Sequence, residues 1–316
     1  LTSQRDTFIS NLFERAKLDK DICLISVDMG APSLDIWREE LPEQFFAAGI
    51  SEQNAINFAA GLSASGKKVY VYFMACWVAR CFEQIRYSCA MAGNPITVLG
   101  NSVGLGYTPA GPAHNPTEDI AYMRSLCGIE IYSPANNAVV KELVNLTCEE
   151  PKLRYIRFER SFPQELESFY LNSAVDSDFL NKGSHILTYD AGSGGEMSVC
   201  IFSSGYMLGR ALQVAKRLES QGIDACVVDF FRVKPATLSN PRDYDHDLIV
   251  TLEEQTLPAG FGSSICEAFV DAGVKRNILR IGLPEKYIFE NGSREHLLNT
   301  NGLSVETIYE KIINKL

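Results

Sequence analysis

The sequence predicts an α/β fold of two domains, each a mostly parallel sheet flanked by helices. Short β-leaning apolar segments alternate with segments of helical period along the whole chain. One polar, acidic stretch interrupts that rhythm, and a second α/β run follows it. Strands alternating with helices imply parallel strands covered on both faces.

Taken in order, Phe8, Leu12 and Ala16 at spacing four mark a helix ahead of a strand over 22–27. Ala55, Phe58, Ala59 and Leu62 recur at i, i+3, i+4 and i+7, one buried helix face, with Ser51 as its N-cap. The longest apolar run, Val69 to Ala79, holds 11 residues. A membrane span needs about 20, so the run reads as a strand (68–72) entering a helix (76–91). A strand over 96–99 leads into a Gly/Pro-rich loop, 100–116, and a helix from Thr117. Strands at 130–132 and 155–158 complete the first unit. Residues 161–181 carry no period and read as a connection, giving domains over 1–165 and 183–316 with a linker over 166–182. The second unit has strands at 198–203, 225–230, 248–252 and 278–281. One helix carries Leu208, Ala211, Leu212, Ala215 and Leu218, and another begins near Ser264.

The 316 residues are 46% hydrophobic and 22% charged, which excludes disorder as the main organisation. A net charge of −10 repels phosphate backbones and anionic lipid, so neither nucleic acid nor a membrane is an expected partner. Nine cysteines, an odd number with no C-x-x-C pair, fit buried thiols in a reducing compartment. With no signal-peptide layout at Leu1-Thr2-Ser3-Gln4-Arg5, a cytoplasmic protein is expected.

His185, His246 and His296 lie in polar surroundings and read as surface residues, and none of the four histidines has a metal-ligand spacing, so no metal site is expected. His114 differs, because it ends the loop Gly104-Leu105-Gly106-Tyr107-Thr108-Pro109-Ala110-Gly111-Pro112-Ala113. Loops at the C-terminal ends of parallel strands are where open α/β sheets bind ligands. Gly192-Ser193-Gly194-Gly195 precedes a strand rather than following one and reads as a turn. Gly260-Phe261-Gly262 enters a helix and suits either an anion or close helix–strand packing. Glu52 falls in the first turn of the Ala55/Phe58/Ala59/Leu62 helix. A carboxylate there is either a helix-end charge, worth about 0.3–1 kcal/mol, or a functional group.

Gly49-Ile50-Ser51-Glu52-Gln53-Asn54, followed by Ala59-Ala60-Gly61-Leu62, resembles the glutamate-bearing segment of transketolases and deoxyxylulose-phosphate synthases. So do residues 80–86, the loop ending at His114, and Glu118-Asp119-Ile120-Ala121-Tyr122-Met123-Arg124. Ser204-Gly205, Leu252-Glu253-Glu254 and Gly260-Phe261-Gly262-Ser263 resemble that family's C-terminal domain. The resemblance covers nearly the whole chain and implies a thiamine diphosphate enzyme. The family's G-D-G motif for Mg2+ (or Ca2+) and pyrophosphate does not occur in the sequence. The chain is therefore similar to the smaller, pyrimidine-binding subunit of a split transketolase. Its expected partner is a diphosphate-binding subunit that holds the metal, in an α2β2 heterotetramer with a homodimeric core.

The resemblance also implies roles. Glu52 matches the glutamate that hydrogen-bonds the aminopyrimidine and promotes its imino tautomer, a task for a sheltered carboxyl. Trp77 matches an aromatic lying on the pyrimidine, with Phe73 and Met74 on the same wall and Arg80 beside it. Asp28 matches an acid close to the cofactor. Ser33, His114 and Arg160 match positions that contact the sugar or its phosphate, and His114 a catalytic one. Two departures stand out. Ala110 takes the place of the Asp of D-G-x-T-H, and Gly100 stands near where transketolases carry another substrate histidine. The implied reaction is two-carbon ketol transfer from a ketose to an aldehyde, with a sugar or sugar phosphate as substrate but with an altered donor site. A β subunit of a 2-oxo acid dehydrogenase, a synthase-like carboligase and a non-catalytic scaffolding subunit are the alternatives.

Overall fold

The computed structural model describes residues 3–161, 164–170, 173–188, 197–238 and 241–316, and the Gly192–Gly195 turn lies outside them. The first run of elements is α1 (Gln4–Ala16), β1 (Ile22–Val27), α2 (Pro32–Glu40), β2 (Phe45–Gly49), α3 (Glu52–Ala64) and β3 (Lys68–Met74). It continues through α4 (Phe82–Gln84), β4 (Ile96–Asn101), α5 (Asp119–Arg124), β5 (Glu130–Tyr132), α6 (Asn137–Glu149) and β6 (Arg154–Phe158). The second run is α7 (Ser177–Lys182), β7 (His185–Thr188), β8 (Ser198–Ser203), α8 (Met207–Glu219), β9 (Asp224–Asp229) and β10 (Arg232–Lys234). It ends with β11 (Leu248–Thr256), α9 (Phe261–Asp271), β12 (Ile278–Leu283), α10 (Arg294–Leu298) and α11 (Val305–Ile313).

These strands form two sheets, ordered β10-β5-β6-β4-β3-β1-β2 and β12-β11-β8-β9-β7. Every pairing is parallel except β10 with β5 and β7 with β9, each at a sheet edge. Strand β1 is buried at all six positions, as expected of a central parallel strand covered on both faces. Alternate residues serve opposite faces. Leu24, Tyr70, Tyr72 and Ile156 pack with Phe8 and Leu12 of α1 and Leu143 of α6. Ile25, Val71, Phe73 and Val98 pack with Ala55 and Ile56 of α3 and with Val78, Cys81 and Ile85.

Several details depart from the sequence reading. The expected helix over 76–91 is a 3-10 turn (Ala75–Val78), the short α4 and a π-helical stretch (Ile85–Met91). Its buried residues Val78, Cys81, Ile85 and Cys89 step by three and then by four, a spacing that a continuous α-helix also satisfies, so the sequence pattern does not reveal the break. The connection over 166–182 is not loose, because Leu166, Tyr170, Phe179 and Leu180 are buried. Strand β10, which follows that connection in sequence, pairs in the first sheet. His185 is half-buried between the rings of Tyr170 and Phe179, and burial, then Lys182, holds its pKa low. His246 is half-buried too, whereas His296 is exposed. Six of the nine cysteines are buried, Cys76 and Cys266 are half-buried, and Cys127 is exposed. Among the described residues, no helix is long and apolar enough to cross a membrane.

Candidate functional site

The side chains singled out in the first unit cluster where β1, β3, β4 and β6 end and at the start of α3. This is the edge at which a parallel sheet presents its loops to ligands. Gly49, at φ +67°, turns β2 toward α3, so that Glu52 becomes the first helical residue. Ser51 sits at the N-cap position, yet its hydroxyl donates to the Ala48 carbonyl (2.6 Å) and caps nothing. The helix N-terminus is left to the Glu52 charge, which its dipole favours.

Glu52 is 4% exposed, and its one side-chain partner among the described residues is Arg80, whose Nη1 donates over 3.3 Å. A continuous wall extends from this pair. The Arg80 guanidinium lies 5.6 Å from the Trp77 ring centroid, and Trp77 meets the His114 ring edge-on at 5.3 Å. His114 meets Tyr107 at 6.0 Å, and Arg160 stacks on Tyr107 at 4.4 Å. The structure thus gathers Glu52, Trp77, Arg80, His114 and Arg160 from separate stretches of sequence. His114 is half-buried, and its buried Nδ1 has no hydrogen-bond partner among the described residues. Cys76 and Cys81 lie near, but burial and then the Glu52 charge push both thiols up to about 12. Neither is a nucleophile at neutral pH.

Met74 and Arg160 line a pocket of about 340 Å³ with Arg5, Ser102 and Tyr107. Arg5 escaped the sequence reading because nothing local distinguishes it from a solvated helix residue. Its guanidinium forks onto Asp6 (2.8 and 3.1 Å), and the pocket then holds two cations, Arg5 and Arg160. Ser33, expected to face substrate, is buried and donates to Asp6 instead (2.6 Å). Burial raises the Asp6 pKa, but the bonds from Arg5, Ser3 and Ser33 outweigh it and hold the carboxyl below its ordinary value. Asp28 is exposed and lines a neighbouring pocket with Met29 and Arg38. Phe73, expected on the cofactor wall, is wholly buried in the core against α3, whereas Met74 and Trp77, expected beside it, are half-buried.

Buried charges hold the His114 loop. Asp119, the first residue of α5, is 0% exposed and accepts from Tyr155 (2.7 Å) and from Arg157 (2.8 and 3.2 Å). The Tyr155 ring lies against Gly100, where an added Cβ would come within 2.6 Å of it. A side chain at position 100 would have to displace that ring. Arg294 bridges Glu159 at the end of β6 and Glu254 of β11, with Nε to Glu254 and Nη2 to Glu159 both 2.8 Å. Arg124 donates to the carbonyls of Ala259 and Gly260 and to Glu267, fixing α5 to α9. The N-terminus of α9 is filled by the chain's own carboxyl group: Glu253 accepts from the backbone N–H of Phe261 (2.7 Å) and Gly262 (2.8 Å). Burial nevertheless pushes Glu253 up to about 8.

Residues 3–164 match the transketolase pyrimidine-binding domain, and residues 194–308 the transketolase C-terminal domain. The chain is 32% identical over 296 residues to an apulose-4-phosphate transketolase subunit of Phocaeicola vulgatus, covering 92% of this chain and 90% of that one. It is 30% identical to the 1-deoxy-D-xylulose-5-phosphate synthase of Caldanaerobacter subterraneus over 99% of its own length, but spans only 49% of that enzyme. Among solved structures, a split-gene transketolase in the form of an inactive β4 tetramer superposes with a TM-score of 0.83 at 26% identity, covering 100% and 99% of the two chains.

Proposed function

Because the chain belongs to the transketolase family, we propose that it is the pyrimidine-holding subunit of a split, thiamine diphosphate-dependent transketolase that moves a two-carbon ketol unit from a ketose to an aldehyde. The observation that carries this reading is Glu52: a carboxylate 4% exposed, at a helix N-terminus, with one long bond from Arg80 and acceptor capacity left over among the described residues. Burying a carboxylate so sparsely partnered is costly unless a further donor completes it. An aminopyrimidine nitrogen is such a donor, and the half-buried Trp77 and Met74 offer the flat apolar surface that its ring needs. The residues present therefore fit the cofactor. Bound, it supplies a carbon nucleophile that this chain's own side chains lack.

The chain's part is to hold and orient. Glu52 shares a proton with a ring nitrogen of the pyrimidine, while Trp77 and Met74 fix its plane and exclude water. Arg80 aims the carboxyl group. His114, whose buried Nδ1 has no partner among the described residues, is placed to exchange a hydrogen bond with a substrate oxygen. Arg5 and Arg160 give the pocket two cations suited to the anionic end of a sugar phosphate. Metal and diphosphate belong to the partner subunit in this reading, in keeping with relatives that are a transketolase subunit and a split-gene product. An α2β2 assembly and a cytoplasmic setting complete it.

The test is reconstitution. The chain is assayed for ketol transfer alone and with a diphosphate-binding subunit, thiamine diphosphate and Mg2+. Activity confined to the mixture is expected. Turnover by the lone chain refutes the split arrangement, and pyruvate decarboxylation without ketol transfer favours a synthase-like carboligase.

A further inference from the structure

The second sheet carries a cluster that the reaction does not use. In β8 and β9 alternate residues serve opposite faces. Val199, Ile201, Ala225 and Val227 pack with α8 and α11, whereas Cys200, Phe202, Cys226 and Val228 share a cluster with Phe261, Ile265 and Phe269 of α9. Cys200 and Cys226 are register partners on neighbouring parallel strands, so their side chains project side by side. His246 reaches them from the segment just before β11. The two sulfurs and one ring nitrogen of His246 all lie within 4.8 Å of one another. The cysteines are 0% and 4% exposed.

We propose that Cys200, Cys226 and His246 form a zinc site that ties together β8, β9 and the segment entering β11. Two thiolates and an imidazole select a thiophilic cation over Mg2+ or Ca2+, which take oxygen ligands. Charge then chooses among thiophilic cations. Two thiolates neutralise Zn2+ in these apolar surroundings, whereas Cu+ leaves a buried net negative charge, which such surroundings penalise. Zinc–sulfur bonds of ~2.3 Å and a zinc–nitrogen bond of ~2.05 Å in a tetrahedron set the sulfurs about 3.8 Å apart and each sulfur about 3.5 Å from the nitrogen, so the cluster closes with a contraction of no more than about 1.3 Å. Three protein ligands leave the fourth position to water. Binding converts two thiols and Zn2+ into a neutral dithiolate complex and releases two protons to solvent. Sequence spacing hides the site, because its ligands come from three separate segments.

The full chain is expressed with zinc supplementation, purified under a phosphine reductant, and its metal content measured. A stripped sample is then titrated with Cd2+, following the sulfur-to-cadmium charge-transfer band. One metal per chain is expected, with about two protons released per ion in weak buffer at neutral pH. Zinc should raise the unfolding midpoint of the wild-type chain. His246→Asn and Cys226→Ala should each weaken binding by at least the ~10–100-fold that loss of a ligand's supporting partner costs. Should Cys226→Ala fail to fold, the half-buried His246→Asn decides. A wild-type chain that takes up neither metal overturns the proposal. So does a band undiminished in the variants, which would put the metal on exposed Cys127 or half-buried Cys266. Preferential uptake of Cu+ at the same residues overturns the choice of zinc.

Discussion

Glu52→Gln separates a helix-end charge from a group that activates the cofactor. The structural loss is small. Glu52 opens α3, where a dipole interaction is worth about 0.3–1 kcal/mol. Its ion pair is long, and the Arg80 side chain is 54% exposed, so that pair adds about 0–1 kcal/mol. The total is at most about 2 kcal/mol, well inside the ~5–15 kcal/mol that holds a typical domain. Glutamine keeps the volume and an acceptor oxygen, so the chain should fold and assemble. What it removes is proton sharing with the pyrimidine, worth a factor of ~100 or more, or about 2.7 kcal/mol of barrier. Hydrogen–deuterium exchange at the thiazolium carbon of the assembled complex reads that step whatever the sugar donor. Wild-type exchange in a complex of normal stoichiometry and melting temperature would refute the role assigned to Glu52.

Three further predictions test the supports of the site. Gly100→Ala drives a Cβ to 2.6 Å from the Tyr155 ring, whose hydroxyl is pinned on Asp119; overpacking of this kind costs about 1–3 kcal/mol, read from urea unfolding. Arg294→Met leaves Glu159 and Glu254 buried without their shared cation, so stability should fall by about 3–5 kcal/mol, and Glu254→Gln in the same chain should restore part of it. Asp229 is wholly buried, and burial raises it from 3.8 to about 7 against the opposing hydrogen bond from Tyr170. The folded state holds this proton more tightly, so its stabilisation is complete below about pH 3.8 and is lost as pH rises toward about 7, by up to about 1.4 kcal/mol per unit. Asp229→Asn abolishes that dependence, and parallel unfolding curves for the two proteins between pH 4 and 7 would contradict it.

Much of this was legible in the sequence. Continuous apolar runs such as 22–27 and 248–252 state parallel, doubly covered strands, because backbone hydrogen bonding and side-chain period are local properties. The place of Glu52 in the first turn of α3 follows from the period of Ala55, Ala59 and Leu62, and the motifs around it carried the family. The tertiary structure alone decided which distant side chains converge. It turned Ser33 onto Asp6, sank Phe73 into the core, added Arg5 to the Arg160 pocket and carried β10 across to the first sheet. It also brought His246, read from its polar neighbours as a surface residue, to Cys200 and Cys226. Local period fixes which face of an element is buried, but what meets that face depends on strand order and register, which are set by packing over the whole chain.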